Sequence, residues 1–525
     1  MDDAVLAAWR RHLGHDADPR ELRAWLAEGT LGEAFAATAA RRPDAPALDI
    51  DGAEATHGEL DERAAGVAGF LRARGIGPGA RVLLCSPSSL ELVIAYMGTV
   101  RAGATAMPAD AAATPAELAH LLRDGTPAAA FAAPDALERL ARAVAEAAPV
   151  DTLVVLGGEA PGGASLPEAE AAAPAPPAPE PGPAMLAYTS GTTGAPKGVP
   201  LTHANLLASV RGVVLAWRWS EDDVLVHALP LSHQHGLSGV HLTLLCGSCA
   251  VIARRFDPAA LCAAIAEHRA TVLFAVPAMY DRLDRWDGFA DADVSSLRLA
   301  VSGSAPLSPA LAERLERRLG QLPLERYGST EAGLDVSNLL DGPRRAGRVG
   351  WALPGMELRL APPDGEILLR GPQVFGGYWK RPEATADVLD RDGWFRTGDL
   401  GRLDPEDGSL EITGRTKELI ISGGLNVYPR EVEAVLEEHR AVAQVAVAGV
   451  PSERWGEEVV AFVVPDGEAA FDADELVAHC RERLSAFKCP KRVVPLEELP
   501  VNRMGKVRRD ALTGMAGRGA GAREG

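Results

Sequence analysis

The chain has 525 residues, 47% of them hydrophobic and 24% charged, an ordinary composition for a globular protein and enough length for about two to four domains. With 72 acidic against 53 basic residues its net charge is −19, which excludes the basic footprint of a nucleic-acid binder but leaves room for a local nucleotide site. No apolar run reaches the roughly 20 residues of a membrane span, and the start, Met-Asp-Asp-Ala-Val-Leu, has no basic n-region, so a cytoplasmic protein with no nucleic-acid or membrane partner is expected.

In chain order, residues 1–30 read as a helical lead-in. From 31 onward strand and helix patterns alternate: Arg81–Cys85 as strand, Glu91–Arg101 as helix, Ala104–Met107 as strand. Residues 157–183, rich in Ala, Pro, Glu and Gly, read as a low-complexity surface loop too polar and proline-broken to build core. An apolar run at Met185 then leads into a Gly- and Thr-rich string, and a helical pattern begins at Thr202. Val224–His227, Thr271–Ala275 and Leu297–Val301 read as strands, Pro258–His268 and Pro309–Arg318 as helices. This alternation predicts open, mostly parallel α/β sheets. From about 346 to 415, short β runs such as Glu366–Leu369 and Leu410–Thr413 predict a small β-barrel-like subdomain. A boundary near Arg415–Lys417 separates a large N-terminal domain, 31–415, from a small mobile α+β domain, 416–513. The tail 514–525 is Gly/Ala/Arg-rich and expected to be disordered. Cys246 and Cys249 form a C-x-x-C in an apolar stretch, with no second pair and no clustered His, so buried structural thiols are expected there rather than a metal site.

The most specific string is Tyr188-Thr-Ser-Gly-Thr-Thr-Gly-Ala-Pro-Lys-Gly198. Glycines let backbone N–H groups approach an anion and form a nest, while hydroxyls and Lys197 add donors and a positive charge. The spacing is not that of a Walker A loop. Arg326-Tyr-Gly-Ser-Thr-Glu331 stands at a predicted strand end, where open α/β sheets bind ligands. Tyr327 could stack on a purine, and Glu331 could hold Mg²⁺ beside phosphate oxygens. In Trp394-Phe-Arg-Thr-Gly-Asp-Leu400, Asp399 could accept both ribose hydroxyls or simply close an Asp-turn. Arg415 could bind phosphate or ribose, and Gly423-Gly424 would let the backbone pass close to a ligand. Pro500-Val-Asn-Arg-Met-Gly-Lys506 puts a lysine in a near-terminal loop, a position more often merely solvated.

Taken in this order, the motifs resemble those of the adenylate-forming superfamily of acyl- and aryl-CoA synthetases, adenylation domains and luciferases, from about residue 31 to 513. The resemblance implies a two-step ligase using ATP, Mg²⁺ and coenzyme A. A carboxylate attacks the α-phosphate to give an acyl-adenylate and pyrophosphate, and a thiol then displaces AMP. By similarity, Thr189, Ser190, Gly191, Thr192, Thr193, Gly194 and Lys197 would cradle the β- and γ-phosphates, with Thr192 beside the metal. Ser302, Gly303, Ser304, Ala305 and Pro306 would line the adenine and acyl pocket. Around the nucleotide, Arg326, Tyr327, Gly328 and Ser329 would flank adenine, Thr330 the α-phosphate, Glu331 the metal, and Asp399 and Arg415 the ribose. Lys417 matches the hinge of the small domain, with Ser422, Gly423 and Gly424 in the segment resembling the CoA-ligase form. Lys506 matches the lysine that bridges carboxylate and α-phosphate.

The identity of the acid is more open. In Leu229-Pro-Leu-Ser-His-Gln-His-Gly-Leu237, the resemblance puts His233 near the acyl and thiol passage, with His235 beside it; a helix-cap histidine is the alternative. Malonyl-CoA synthetases are similar at Glu325-Arg-Tyr-Gly-x-Thr-Glu, at His-x-His-Gly and at Ser337-Asn-Leu-Leu-Asp-Gly. Arg326 could pair bidentately with a second carboxylate, or be held by Glu325 or another acid. Asp335 and Arg348 depart from the malonyl-CoA synthetase pattern, and an added Asp335 repels a dicarboxylate unless it pairs with Arg326 or a substrate amine. A small dicarboxylic acid such as malonate is therefore the leading expectation. An aromatic or amino acid, or another oxyanion such as nitrite, passed to a carrier protein or an amine, is the alternative. A non-catalytic nucleotide-binding homologue is a remote one. Oligomeric state is not readable from the sequence.

Overall fold

The structure is a computed structural model that describes residues 3–520 except 14–18, 148, 159–162, 179–180, 190–195, 423–424, 453, 468–470 and 503–504. Two large sheets form its bulk. The nine-stranded sheet runs, in spatial order, through Trp351–Ala352, Gly333–Ser337, Leu324–Ser329, Leu299–Ser302, Val272–Ala275, Val224–His227, Cys249–Ile252, Pro46–Ile50 and Ala53–Thr56. Its middle is parallel and its two ends antiparallel. The seven-stranded sheet is parallel up to its last pair, the antiparallel hairpin of Met185–Thr189 with Lys197–Leu201. Parallel strands buried on both faces suit the Val/Leu/Ala runs seen here. One continuous buried cluster links both sheets to an open four-stranded antiparallel sheet, Glu357–Ala361, Glu366–Arg370, Phe395–Leu403 and Leu410–Arg415. The final five-stranded sheet, including Val442–Ser452 and Gly456–Pro465, has its own cores, around Val447, Val459 and Leu476 and around Val460, Phe462 and Leu512.

The lead-in helices are fastened to this body. Trp9 is wholly buried and its indole Nε1 donates to the Met356 carbonyl at 2.7 Å. Two expectations need correction. Residues 164–178 are packed rather than a loose polar loop, since Leu166, Ala169 and Ala178 are buried. Their backbone lies so close to the helix His57–Ala73 that a Cβ on Gly66 or Gly69 would stand 1.8 Å and 1.7 Å from the carbonyls of Glu170 and Ala173. The apolar alanines and one leucine, not the prolines, decide the outcome. The tail is helical over Arg509–Ala520, because Leu512 and Ala516 form an apolar face seated on the last sheet; residues 521–525 lie outside the described region. Cys246 and Cys249 are half-buried free thiols, and burial pushes both up, to about 12 and about 11.

Candidate active site

The neighbouring parallel strands Leu299–Ser302 and Leu324–Ser329 both end at one edge of the large sheet, and Ser302–Pro306 and Ser329–Glu331 leave from there. Across the cleft, Asp399 and Arg415 are register partners in the four-stranded sheet. The Tyr327 hydroxyl donates to Asp399 Oδ2 at 2.7 Å, and Arg415 Nε lies 2.8 Å from Asp399 Oδ1. Burial and the facing carboxylate hold the Tyr327 phenol well above its usual range. Glu331 accepts from the Tyr378 hydroxyl at 3.0 Å, and burial raises its carboxyl above the ordinary range. Lys197, at the start of the hairpin's second strand, places its ammonium 4.7 Å from the centre of the Tyr378 ring. Thr189 pairs with Lys197 across that hairpin. Ser190, Gly191, Thr192, Thr193 and Gly194 fall outside the described residues, as do Gly423 and Gly424.

The small C-terminal unit reaches into the same cleft. Asn502 donates its N–H to the Lys506 carbonyl at 2.8 Å and receives the Lys506 N–H on Oδ1 at 3.0 Å, which fixes a tight turn. Gly505 occupies the left-handed region (φ 70°) and lies on the main body: an added Cβ would be 2.9 Å from Ala278 Cβ. A second contact runs from Gln444 Nε2 to Asp281 Oδ2 at 3.2 Å. Burial, with Arg415 nearby, lowers the Lys506 ammonium to about 8, while Asp399 and Glu418 oppose the shift. The fold thus brings together Lys506, Asp399 and Arg415. Lys417 is exposed in the short turn Thr416–Glu418, and Ser422 is buried in the strand Ile420–Ser422.

On the other face of the Leu324–Ser329 strand stands Arg326, pointing away from Tyr327 as strand alternation requires. Its guanidinium lies on Gly303, where an added Cβ would be 2.4 Å from Nε. Ser304 holds φ 71°, uncommon for a residue with a side chain, and its Oγ sits 3.1 Å from His235 Nδ1. His235 is buried against Phe274, their ring centres 5.5 Å apart. Burial, with Arg326 and His227 facing it, holds His235 well below the usual imidazole range and therefore neutral. His233 takes the N-cap position of the helix Gln234–Cys246 without a side-chain capping bond.

Asp335 is the extra residue of a β-bulge, because Val336 pairs with Tyr327 while Leu334 already pairs with Gly328. Bulges re-aim side chains beside functional sites. Asp335 is wholly buried; Gln373 Nε2 donates to its Oδ1 at 3.3 Å and to the Leu334 carbonyl at 2.5 Å. Burial pushes Asp335 up to about 7 and Arg326 down to about 10, and Asp335 partly offsets the second shift. Among the described residues no carboxylate lies within ion-pair distance of Arg326, so neither Glu325 nor Asp335 locks it. Among the described residues, 14 buried side-chain polar atoms have no partner, and seven of these belong to His227, His235, Ser302, Arg326, Ser329, Asp335 and Gln373. Native proteins rarely leave such groups unpaired, and these seven collect on and around the Leu324–Ser329 strand.

Sequence reading missed Gln373 and Tyr378. The signal available for Tyr378 was the double glycine and aromatic cluster Phe375-Gly-Gly-Tyr-Trp379. No group of three or more His, Cys, Asp or Glu able to hold a metal by itself exists among the described residues. Glu331 is a single hard-oxygen donor in the cleft, which fits a Mg²⁺ that takes most of its ligands from phosphate and water. No described helix is long and apolar enough to cross a membrane.

Comparison with known proteins places the chain in a family and a fold. The family model described as AMP-binding enzyme matches residues 35–379, and the one described as AMP-binding enzyme C-terminal domain matches 431–506. The chain is 38% identical to a feruloyl-CoA synthase from an Amycolatopsis species over 478 residues, 89% of this chain and 94% of that protein. It is 33% identical to a long-chain-fatty-acid–CoA ligase of Bacillus subtilis over 540 residues, 94% of this chain and 95% of the other. Its fold superposes on ATP-bound MatB from Rhodopseudomonas palustris with a TM-score of 0.86 at 36% identity, covering 93% and 99% of the two chains. The apo form of that protein gives 0.75.

Proposed function

This chain belongs to the AMP-binding enzyme family and is an AMP-forming acid–thiol ligase, and from that premise we propose that the acid it activates is a small dicarboxylate of the malonate type. In the first half-reaction a carboxylate oxygen attacks the α-phosphorus of ATP, the bond to the β-phosphate breaks and pyrophosphate leaves. In the second, the CoA sulfur attacks the acyl carbon and AMP departs. Such chemistry is mainly positioning plus neutralisation of charge. Tyr327 would flank adenine, Asp399 and Arg415 would hold the ribose, and Lys197 would face the β- and γ-phosphates. Glu331, with Thr192 in the undescribed loop, would hold Mg²⁺, which supplies charge neutralisation on the polyphosphate. Lys506 would bridge the attacking carboxylate and the α-phosphate, and Lys417 would be the pivot of the small domain.

The observation that carries the dicarboxylate reading is Arg326: buried, with Nε unpartnered and no carboxylate in ion-pair range among the described residues. A buried guanidinium in this state is built to receive an anion from outside the chain. The unpaired histidine, serine and glutamine atoms around it also disfavour a long apolar acyl chain. A second reading rests on Asp335 Oδ2 and Gln373 Oε1, both unpartnered acceptors, which would suit an acid bearing an amine or hydroxyl. ATP–pyrophosphate exchange across malonate, methylmalonate, acetate, medium-chain acids, aminobenzoates, cinnamates and nitrite decides between them. Exchange confined to the malonates, followed by CoA-dependent AMP release, is expected. Exchange with aminobenzoates and none with malonates transfers the assignment to the second reading.

A further inference from the structure

We propose that Tyr378 is a positioning residue of the nucleotide site, aligning Glu331 through its hydroxyl and Lys197 through its ring. The idea rests on the reading that Glu331 meets the metal and Lys197 the polyphosphate. It is carried by geometry that neither motif contains. Glu331 and Lys197 come from different sheets, and Tyr378 touches both: its hydroxyl donates to Glu331 Oε1 at 3.0 Å and its ring face lies 4.7 Å from the Lys197 ammonium. The segment around it is bonded to both motifs through the main chain as well. Phe375 N–H donates to the Glu331 carbonyl at 2.8 Å, and Trp379 N–H donates to the Gly198 carbonyl at 2.8 Å.

Tyr378 is itself held in place. Its N–H donates to Thr385 Oγ1 at 2.9 Å, and its ring packs edge-on against Phe375 with centres 4.9 Å apart. Gly377 precedes it at φ 131°, a conformation open to glycine, and an added Cβ would lie 2.5 Å from Thr385 Cγ2. The hydroxyl bond fixes the orientation of the Glu331 carboxylate from outside its own strand. A cation over an aromatic face is stabilised while keeping its N–H groups free for phosphate. One phenol thereby bridges Glu331, which would hold the metal, and Lys197, which would face the polyphosphate.

The two contacts are separable by substitution. Tyr378→Phe removes the hydroxyl and keeps the ring; Tyr378→Leu removes both. ATP binding to each variant, measured by calorimetry with Mg²⁺ and with EDTA, reads the two arms apart, with Glu331→Gln as reference. Tyr378→Phe is expected to leave ATP affinity in EDTA unchanged and to shrink the gain from Mg²⁺ by about 10-fold. Tyr378→Leu should also weaken ATP binding in EDTA, by roughly 3- to 10-fold. A normal Mg²⁺ gain in Tyr378→Phe, alongside a lost gain in Glu331→Gln, overturns the positioning role and spares the site. A normal gain in Glu331→Gln overturns the underlying reading of Glu331, and the proposal with it. Identical binding by the Phe and Leu variants means a structural residue only and also overturns it. Should the Leu variant fail to fold, the Phe variant decides alone.

Discussion

The proposed nucleotide side and the proposed acyl side of this cleft share one strand and are finished differently. On the Tyr327 face the main polar groups satisfy one another, Tyr327 with Asp399, Asp399 with Arg415 and Tyr378 with Glu331, although Ser329 Oγ keeps no partner. On the Arg326 face the side chains are just as buried, yet Arg326, Asp335, Gln373 and His235 each keep an atom without a partner. A self-satisfied cradle holds its geometry before ligand arrives, which suits a nucleotide required in every turnover. An unsatisfied one is costly until the right groups enter, which places discrimination between acids there. On the proposed reading, pre-organisation and selectivity would fall mainly on opposite faces of Leu324–Ser329.

The largest effect expected is at Lys506, where the two sides meet. Lys506→Ala should slow adenylate formation by on the order of 10²–10³-fold, read as ATP–pyrophosphate exchange, and leave thiol transfer from supplied acyl-adenylate within a few-fold. Equal loss in both half-reactions would mean the lysine does not belong to the adenylating arrangement alone. Next is Arg326→Gln. It should lower kcat/KM for a dicarboxylate on the order of 10²-fold while ATP affinity stays within about two-fold, the size of an ordinary distant effect. If acid and ATP are lost together, the two faces are coupled and the division drawn above fails.

The division was only half visible in the sequence. That Tyr327, Glu331, Asp399, Arg415 and Lys506 would meet in one cleft was an available expectation, because each sits in a short string whose backbone geometry needs its neighbours: a glycine, a turn, a strand end. Tyr378 was not, since its partners are 47 residues away at Glu331 and far earlier at Lys197, and only sheet packing brings them together. The alternation of strands and helices gave the parallel sheets readily, because period and length carry that signal. Residues 164–178 misled because composition suggested solvent while three small or apolar side chains found a helix groove. Asp335 was noticed as a departure, but the bulge that re-aims it depends on a register no single strand reveals.

A pH profile sharpens the picture on the nucleotide side. Burial and Arg415 lower Lys506 to about 8 in the free enzyme, so the charged lysine is present below that value and lost above it. The quantity kcat/KM reports free-enzyme groups. Its value for ATP should therefore fall about 10-fold per unit above pH 8, and Lys506→Arg should move that limb beyond the measurable range, because a guanidinium stays charged. A limb unmoved by the arginine variant would assign it to another group.

The smallest effect is on the acyl side, at Asp335. This carboxyl is wholly buried, bonded on Oδ1 to Gln373 and unpartnered on Oδ2, and it lies within the electrostatic reach of Arg326 and Glu331. Burial pushes it up to about 7, so it is neutral below that pH and anionic above it. In the anionic form it cancels part of the Arg326 field that a second substrate carboxylate would feel. The preference for a dicarboxylate over a monocarboxylate should then decline as pH rises through 7. Asp335→Asn removes the charge at all pH values. It should flatten that decline and raise the preference by roughly 3- to 10-fold above pH 7, as expected for one partly screened charge several ångströms away, with little change below it. A preference independent of pH in both proteins would show that Arg326 acts unopposed, and that Asp335 shapes the bulge without tuning the pocket.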